Sequence, residues 1–315
     1  MQKAGKKMFL WIKKFSLILT FLLLVIICSW ASPYFLTPEN IWVLLRQITV
    51  IGTIAIGMTF VILSAGIDLS VGSVVALVSV VSMSAQKFGV PAIILVGIGV
   101  GIAVGLFNGL VITFGKVVPF ITTLGMMTIA HGLALWYSGQ GIIHGQLSQF
   151  EQLGNGWINF GLFKVPIPVI IFSALFIIGW LLLERTIFGK YVKAIGGNME
   201  AARMSGININ FWIILTYVYC GLMTAISGLI ITSRMNTGSP MVGQYYELDA
   251  IASVIIGGTN LFGGRGTLTG TLIGVLILGA VANIMNLLNW PSDVQYTIRG
   301  VIILIAVMMQ RGSQE

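Results

Sequence analysis

The chain has 315 residues, of which 57% are hydrophobic and 8% charged, and its mean hydropathy is +0.99. Charge at that level is about a third of the roughly 25% usual in soluble domains, and a soluble fold cannot hide so much apolar surface. Continuous apolar runs also exclude a membrane β-barrel, whose strands alternate over short segments, and leave an all-α polytopic membrane protein.

Taken from the N-terminus, the net charge of +8 is placed where it argues against nucleic-acid binding. Lys3, Lys6, Lys7, Lys13 and Lys14, five of the 17 basic residues, precede the first apolar run. This is the positive-inside signature of a cytoplasmic N-terminus over residues 1–15. The following run resembles the apolar part of a signal peptide and is read as an uncleaved signal anchor that becomes the first span. Apolar stretches near 20 residues then recur at about 16–31, 48–64, 71–86, 91–114, 119–138, 167–183, 211–233, 247–260, 267–287 and 295–310. About ten transmembrane helices are expected, with both termini cytoplasmic. On that count twelve basic residues fall inside and five (Arg46, Lys87, Lys164, Arg234, Arg299) outside, which is the expected bias. Cys28 and Cys220 lie in apolar runs without metal spacing and read as small core or lipid-facing residues.

The second and third spans are divided by a short polar break around Asp68. A carboxylate between two spans is costly and serves a fixed interaction or a pathway. Gly66, Ser70, Gly72 and Ser73 can break the helix and let Asp68 cap the next one; gating and proton coupling are the other readings of Asp68. In the fourth span Gly97, Gly101, Gly105 and Gly109 recur at a strict spacing of four. They share one face and let another helix backbone come close. Ser70, Asn108, Thr122, Thr123, His131, Asn283 and Asn286, with Asp68, are the polar groups in or beside spans, and are the candidates for a pathway or its gate. Each could equally bond a neighbouring helix.

The connections 32–46 and 139–165 are long enough for short surface helices, and the second, with Trp157, could touch an external partner. Residues 184–210 are a dense charged island between two spans. Within it Asn198 is suited to cap a short helix, Glu200 sits in its first turn and Gly206 stops it. Gly196, Gly197, Ala201, Ala202 and Arg203 complete a compact knob that could dock in a groove of a soluble partner. The glycine-rich run 257–266 lacks the spacing of a nucleotide-binding loop and reads as a tight turn. No catalytic constellation is present: His131 lies in a span, His144 in a loop, and Glu247 and Asp249, at i and i+2, point apart on a helix. No metal-ligand pattern occurs either.

Three stretches carry a resemblance to a known family: ILSAGIDLSVGS at 62–73, AIGGNMEAARMSGIN at 194–208, and YELDAIASVIIGGTNLFGGRGTLTGTLIG at 246–274. Together with Glu200-Ala201-Ala202 followed after three residues by Gly206, which matches the start of the cytoplasmic loop of such proteins, they resemble the permease subunits of ribose-type ATP-binding-cassette sugar importers. The likeness extends over nearly the whole chain. It implies a single transmembrane permease domain over 1–315 with 184–210 as coupling loop, and a coupling helix over Gly196–Gly206 seated in a partner ATPase. That ATPase, with two nucleotide-binding domains, would hold the ATP and Mg, and this chain would bind no cofactor. A second permease copy, most simply a homodimer, and an external substrate-binding protein complete the implied assembly in the bacterial cytoplasmic (inner) membrane. The substrate class implied is a monosaccharide such as ribose, moved by alternating access. Nucleosides or an autoinducer are the alternatives within the family. A proton- or sodium-coupled secondary transporter is the rival outside it, and would rest on Asp68 and Asp249 alone.

Overall fold

In a computed structural model of the chain, residues 2–161 and 164–311 are described. The side chains of residues 2–16, of 303, 306 and 307, and of 309–311 lie outside the described ones, and with them the five N-terminal lysines and Arg311. The fold is a bundle of helices: α1 (Gln2–Ala31), α2 (Pro38–Leu63), α3 (Val71–Ser84, continued by a 3-10 turn over Ala85–Phe88), α4 (Val90–Thr113), α5 (Pro119–Tyr137), α6 (Ser148–Asn155), α7 (Ile167–Arg185), α8 (Ile187–Gly197), α9 (Met199–Met204), α10 (Ile209–Met235), α11 (Tyr246–Ile256), α12 (Leu268–Leu287) and α13 (Ser292–Arg311). Two small antiparallel pairs, Ile143–His144 with Thr237–Gly238 and Trp157–Asn159 with Lys164–Pro166, tie down the connections on either side of α6.

Seven helices among the described residues are long and apolar enough to cross a membrane, and each of the ten expected stretches coincides with a helix. α11 is the short one: its 11 residues reach about 16 Å, roughly half of a ~30 Å hydrocarbon layer. α13 has the length but carries Asp293 and Arg299 in its first half. The second span begins ten residues before the expected boundary of 48. Thr37 caps α2 through its side chain, Pro38 opens the first turn and Glu39 sits in it. These start signals outweigh the polar composition of residues 38–47, so Arg46 lies within a helix and not in a loop.

Burial divides the helices into two classes. α2, α3 and α10 are mostly buried, whereas α4, α5 and α7 expose most of their apolar length, as spans apolar all round do when lipid is their solvent. The core forms where α10 packs on α4, α2 and α3. The four glycines of α4 face α10. A Cβ at Gly97 would stand 2.7 Å from Leu229 Cδ2 and one at Gly109 2.8 Å from Ile214 Cα, while Gly101 and Gly105 lie against the carbonyls of Gly221 and Tyr217. Cys28 and Cys220 are both buried free thiols.

Candidate functional site

The link between α2 and α3, residues 64–70, is irregular and largely buried. Irregular backbone among membrane spans is tolerated where protein groups satisfy it, and here they do. Asp68, 2% exposed, accepts from the Ser70 N–H at 2.9 Å and from Ser70 Oγ at 2.6 Å. Asn108 of α4 donates to Ser70 Oγ at 3.1 Å. The Ile67 carbonyl accepts from Tyr217 of α10 at 3.2 Å and from Thr123 of α5 at 3.4 Å. One polar knot therefore joins four elements. Asp68 caps only the amide of Ser70, the residue that precedes α3. The reason is the conformation of Ser70, already helical at φ −77°, ψ −16°, which leaves the carboxylate in a local turn with no reach into the first turn of α3.

On the other side of this link, three segments far apart in sequence meet. The Leu63 carbonyl at the end of α2 accepts the Gly264 N–H at 3.0 Å. Gly196 of α8 is pressed against that same carbonyl, and a Cβ there would stand 2.7 Å from Gly264 N. Gly263 and Gly264 adopt φ of +91° and +77°, which only glycine reaches without strain, and they close the turn after α11 onto Ala65 and Gly197. Phe188 of α8 stacks on Phe60 of α2 (5.1 Å) and on Trp212 of α10 (5.8 Å). This anchors α8 to the core.

From that anchor hangs α9. The Asn198 side chain accepts from the Ala201 N–H at 2.9 Å. At the other end the Gly206 N–H reaches Arg203 O and the Ile207 N–H reaches Ala202 O, at 3.0 and 3.2 Å, the paired C-terminal bonds that a left-handed glycine permits. Ala202 alone of this helix is buried; Met204 is 85% exposed, and Met199, Glu200, Ala201 and Arg203 are exposed with it.

A hollow of about 300 Å³ opens beside the polar knot, between the start of α3, the middle of α5 and the segment 240–247. Ser73, Thr128, His131, Gln244, Tyr245 and Glu247 line it, with Ala76, Met127 and Val242 as apolar wall. Glu247 packs directly on Gly72, so the third motif stretch touches the first here as well as at Leu63. The arrangement offers hydroxyl, amide, imidazole and carboxylate groups over an apolar floor, which suits a polyhydroxylated ligand. Among the described residues no cluster is suited to hold a metal ion.

Comparison with known proteins decides the class. A family described as the permease component of a branched-chain amino acid transport system matches residues 40–307. The chain belongs to this permease family. It is 45% identical to the ribose import permease protein of Bacillus subtilis (strain 168), over 92% of this chain and 90% of that one. It is 39% identical to the ribose import permease protein of Escherichia coli (strain K12), over 99% and 98% respectively. An L-arabinose transporter permease of Azospirillum brasilense is 38% identical over 95% of this chain and 88% of its own length. No solved structure matches.

The permease brings only some of the expected pathway residues together. Asp68, Ser70, Asn108 and Thr123 meet in the knot, and His131 lines the adjoining hollow. Thr122 bonds Val118 O of its own helix. Asn283 exchanges two 2.9 Å bonds with Asn40, which also holds the Phe35 carbonyl; the pair clamps α12 to α2. Asn286 is exposed and takes a bond from Gln295. Tyr217 is not legible as a site residue in the sequence, because a tyrosine in an apolar span carries no motif. Glu247 and Asp249 do point apart: Asp249 pairs with Arg299 at 3.0 Å, away from the hollow that Glu247 lines.

Proposed function

We propose that this chain is the membrane-spanning subunit of an ATP-driven importer for ribose or a similar monosaccharide. The whole of 1–315 works as one permease unit of ten spans with both termini in the cytoplasm, in the cytoplasmic (inner) membrane of a bacterium. Two copies form the translocation path, an ATPase with two nucleotide-binding domains holds ATP and Mg, and an external binding protein delivers the sugar. The observation that carries this reading is the meeting of the three motif stretches at Leu63, Gly196 and Gly264, in a chain whose relatives at 39–45% identity are named for ribose import.

The geometry supports a coupling route. α9 presents Met199, Glu200, Ala201, Arg203 and Met204 outward, with both ends capped, so a helix of only six residues stays formed where an isolated one would be marginal. A push on α9 passes through α8, which is braced on Phe60 and Leu63, to the start of the 64–70 link. That link carries Asp68 and leads into the start of α3, which lines the hollow. Movement of the link changes access to the hollow, whose hydrogen-bonding lining handles the sugar during passage. The knot of Asp68, Ser70, Asn108, Thr123 and Tyr217 sets how far the link can move.

The test is uptake of a labelled panel (pentoses, hexoses, nucleosides) into proteoliposomes containing this chain, its ATPase and its binding protein. Vanadate-sensitive, ATP-dependent uptake of a pentose is expected, and it disappears when Ala201 and Gly206 are replaced by bulky charged residues. Uptake by this chain alone, driven by an ion gradient and indifferent to ATP, would overturn the proposal.

A further inference from the structure

A second cavity, of about 170 Å³, lies away from the hollow and the coupling helix, between α2, α12 and the charged ends of α10, α11 and α13. Its polar lining is Gln47, Arg234, Tyr246, Asp249, Ser253 and Arg299, set against an apolar wall from α2 and α12. Asp249 and Arg299 are paired at 3.0 Å. Arg234 lines the same space and is only part-exposed, yet among the described residues its guanidinium has no carboxylate or hydrogen-bond partner; Lys193–Glu184 is the other ion pair. No further carboxylate supplies the missing charge: Glu247 faces the other hollow, Glu151 takes a bond from Asn155, and Glu39 and Asp293 are exposed. Arg46 stacks on Trp157 instead of lining the cavity. Two guanidiniums against one carboxylate leave one positive charge in excess at a part-buried site, a state that favours a counter-charge.

We infer that this cavity is an anion site, and that it takes a phosphate-type group bound by the Arg234 fork with Tyr246 and Ser253 beside it. A guanidinium matches two phosphate oxygens at once. Arg299 lies seven residues into α13, about 10 Å from its start, and Arg234 lies in the last turn of α10, so the charges sit near helix ends, where lipid headgroups lie. The phosphate can therefore come from the headgroup of an anionic phospholipid or from free phosphate.

The full chain in nanodiscs separates these sources independently of the transport reading, because binding and not uptake is measured. Native mass spectrometry compares retention of phosphatidylglycerol with phosphatidylcholine, and thermal unfolding in pure phosphatidylcholine discs is followed with and without inorganic phosphate at constant ionic strength. A preference for phosphatidylglycerol that weakens about tenfold in Arg234→Gln, as loss of one charge-assisted bond predicts, supports the site with a lipid as its occupant. A rise in the unfolding midpoint with phosphate, absent in Arg234→Gln, supports it with the free anion. Should Arg234→Gln not fold, Arg234→Lys is expected to keep part of the binding, and Asp249→Asn, which removes the competing carboxylate, to strengthen it. No anion preference in the wild type, or an unchanged one in Asp249→Asn and the Arg234 variants, overturns the assignment.

Discussion

The α4–α10 seam and the junction at Leu63, Gly196 and Gly264 are both built by glycine, for opposite ends. In the seam the glycines repeat every fourth residue along one helix and let two long spans lie backbone to backbone, where dispersion contact holds helices together in lipid. At the junction they come from separate segments, two of them in left-handed turns, and bring together pieces with no common helix axis. A seam of the first kind is a fixed wall. A junction of the second kind can pass a displacement from α8 to the link that carries Asp68. Damage to the seam should therefore appear as loss of folded protein, and damage along the proposed coupling route as loss of transport by folded protein.

Gly101→Leu breaks the comparison most severely. Its side chain has no room beside Gly221 and Ala225, so about 3 kcal/mol of destabilisation is expected, read as collapse of monodisperse protein in detergent and a lower unfolding midpoint. A normal midpoint would show the seam to be adjustable. Ala201→Arg, on the exposed face of α9, should leave the midpoint unchanged while ATP-dependent uptake drops to about a tenth, equivalent to roughly 1.4 kcal/mol in coupling; equal loss of stability and uptake would remove the distinction. Asp68→Ala strips the acceptor from the Ser70 amide and hydroxyl and should cost about 1–3 kcal/mol by chemical denaturation, with Asp68→Asn costing less because an acceptor oxygen remains. If the two variants proved equally stable, the knot would not hold the link. The smallest effect belongs to the Asn40–Asn283 clamp: a double-mutant cycle to alanine should give a coupling of about 0.6 kcal/mol, with transport preserved, and a large transport defect there would return Asn283 to the pathway.

Both ends of α9 and the seam face of α4 are legible in the amino-acid sequence. Asn198, Glu200 and Gly206 mark the short helix by rules that act within a few residues, and a strict four-residue glycine spacing designates a helix face without knowledge of its partner. Long-range pairing is not legible. Asn283 and Asn108 are both single asparagines in apolar runs, and sequence treats them alike; one clamps Asn40 some 243 positions away and the other donates to Ser70. The start of α2 escapes a hydropathy reading because its capping signals lie within a polar stretch.

The sequence alone determined the solvent, the class and the periodic elements of this protein, because apolar length, charge asymmetry and capping chemistry are local quantities that survive without a fold. Only the tertiary structure decided which of its scarce polar groups meet. Among apolar spans a polar side chain must find its partner wherever packing brings one, and that is fixed by how the helices cross, not by the residues beside it. The knot around Asp68, the hollow with His131 and Glu247, and the uncompensated Arg234 are all products of that crossing.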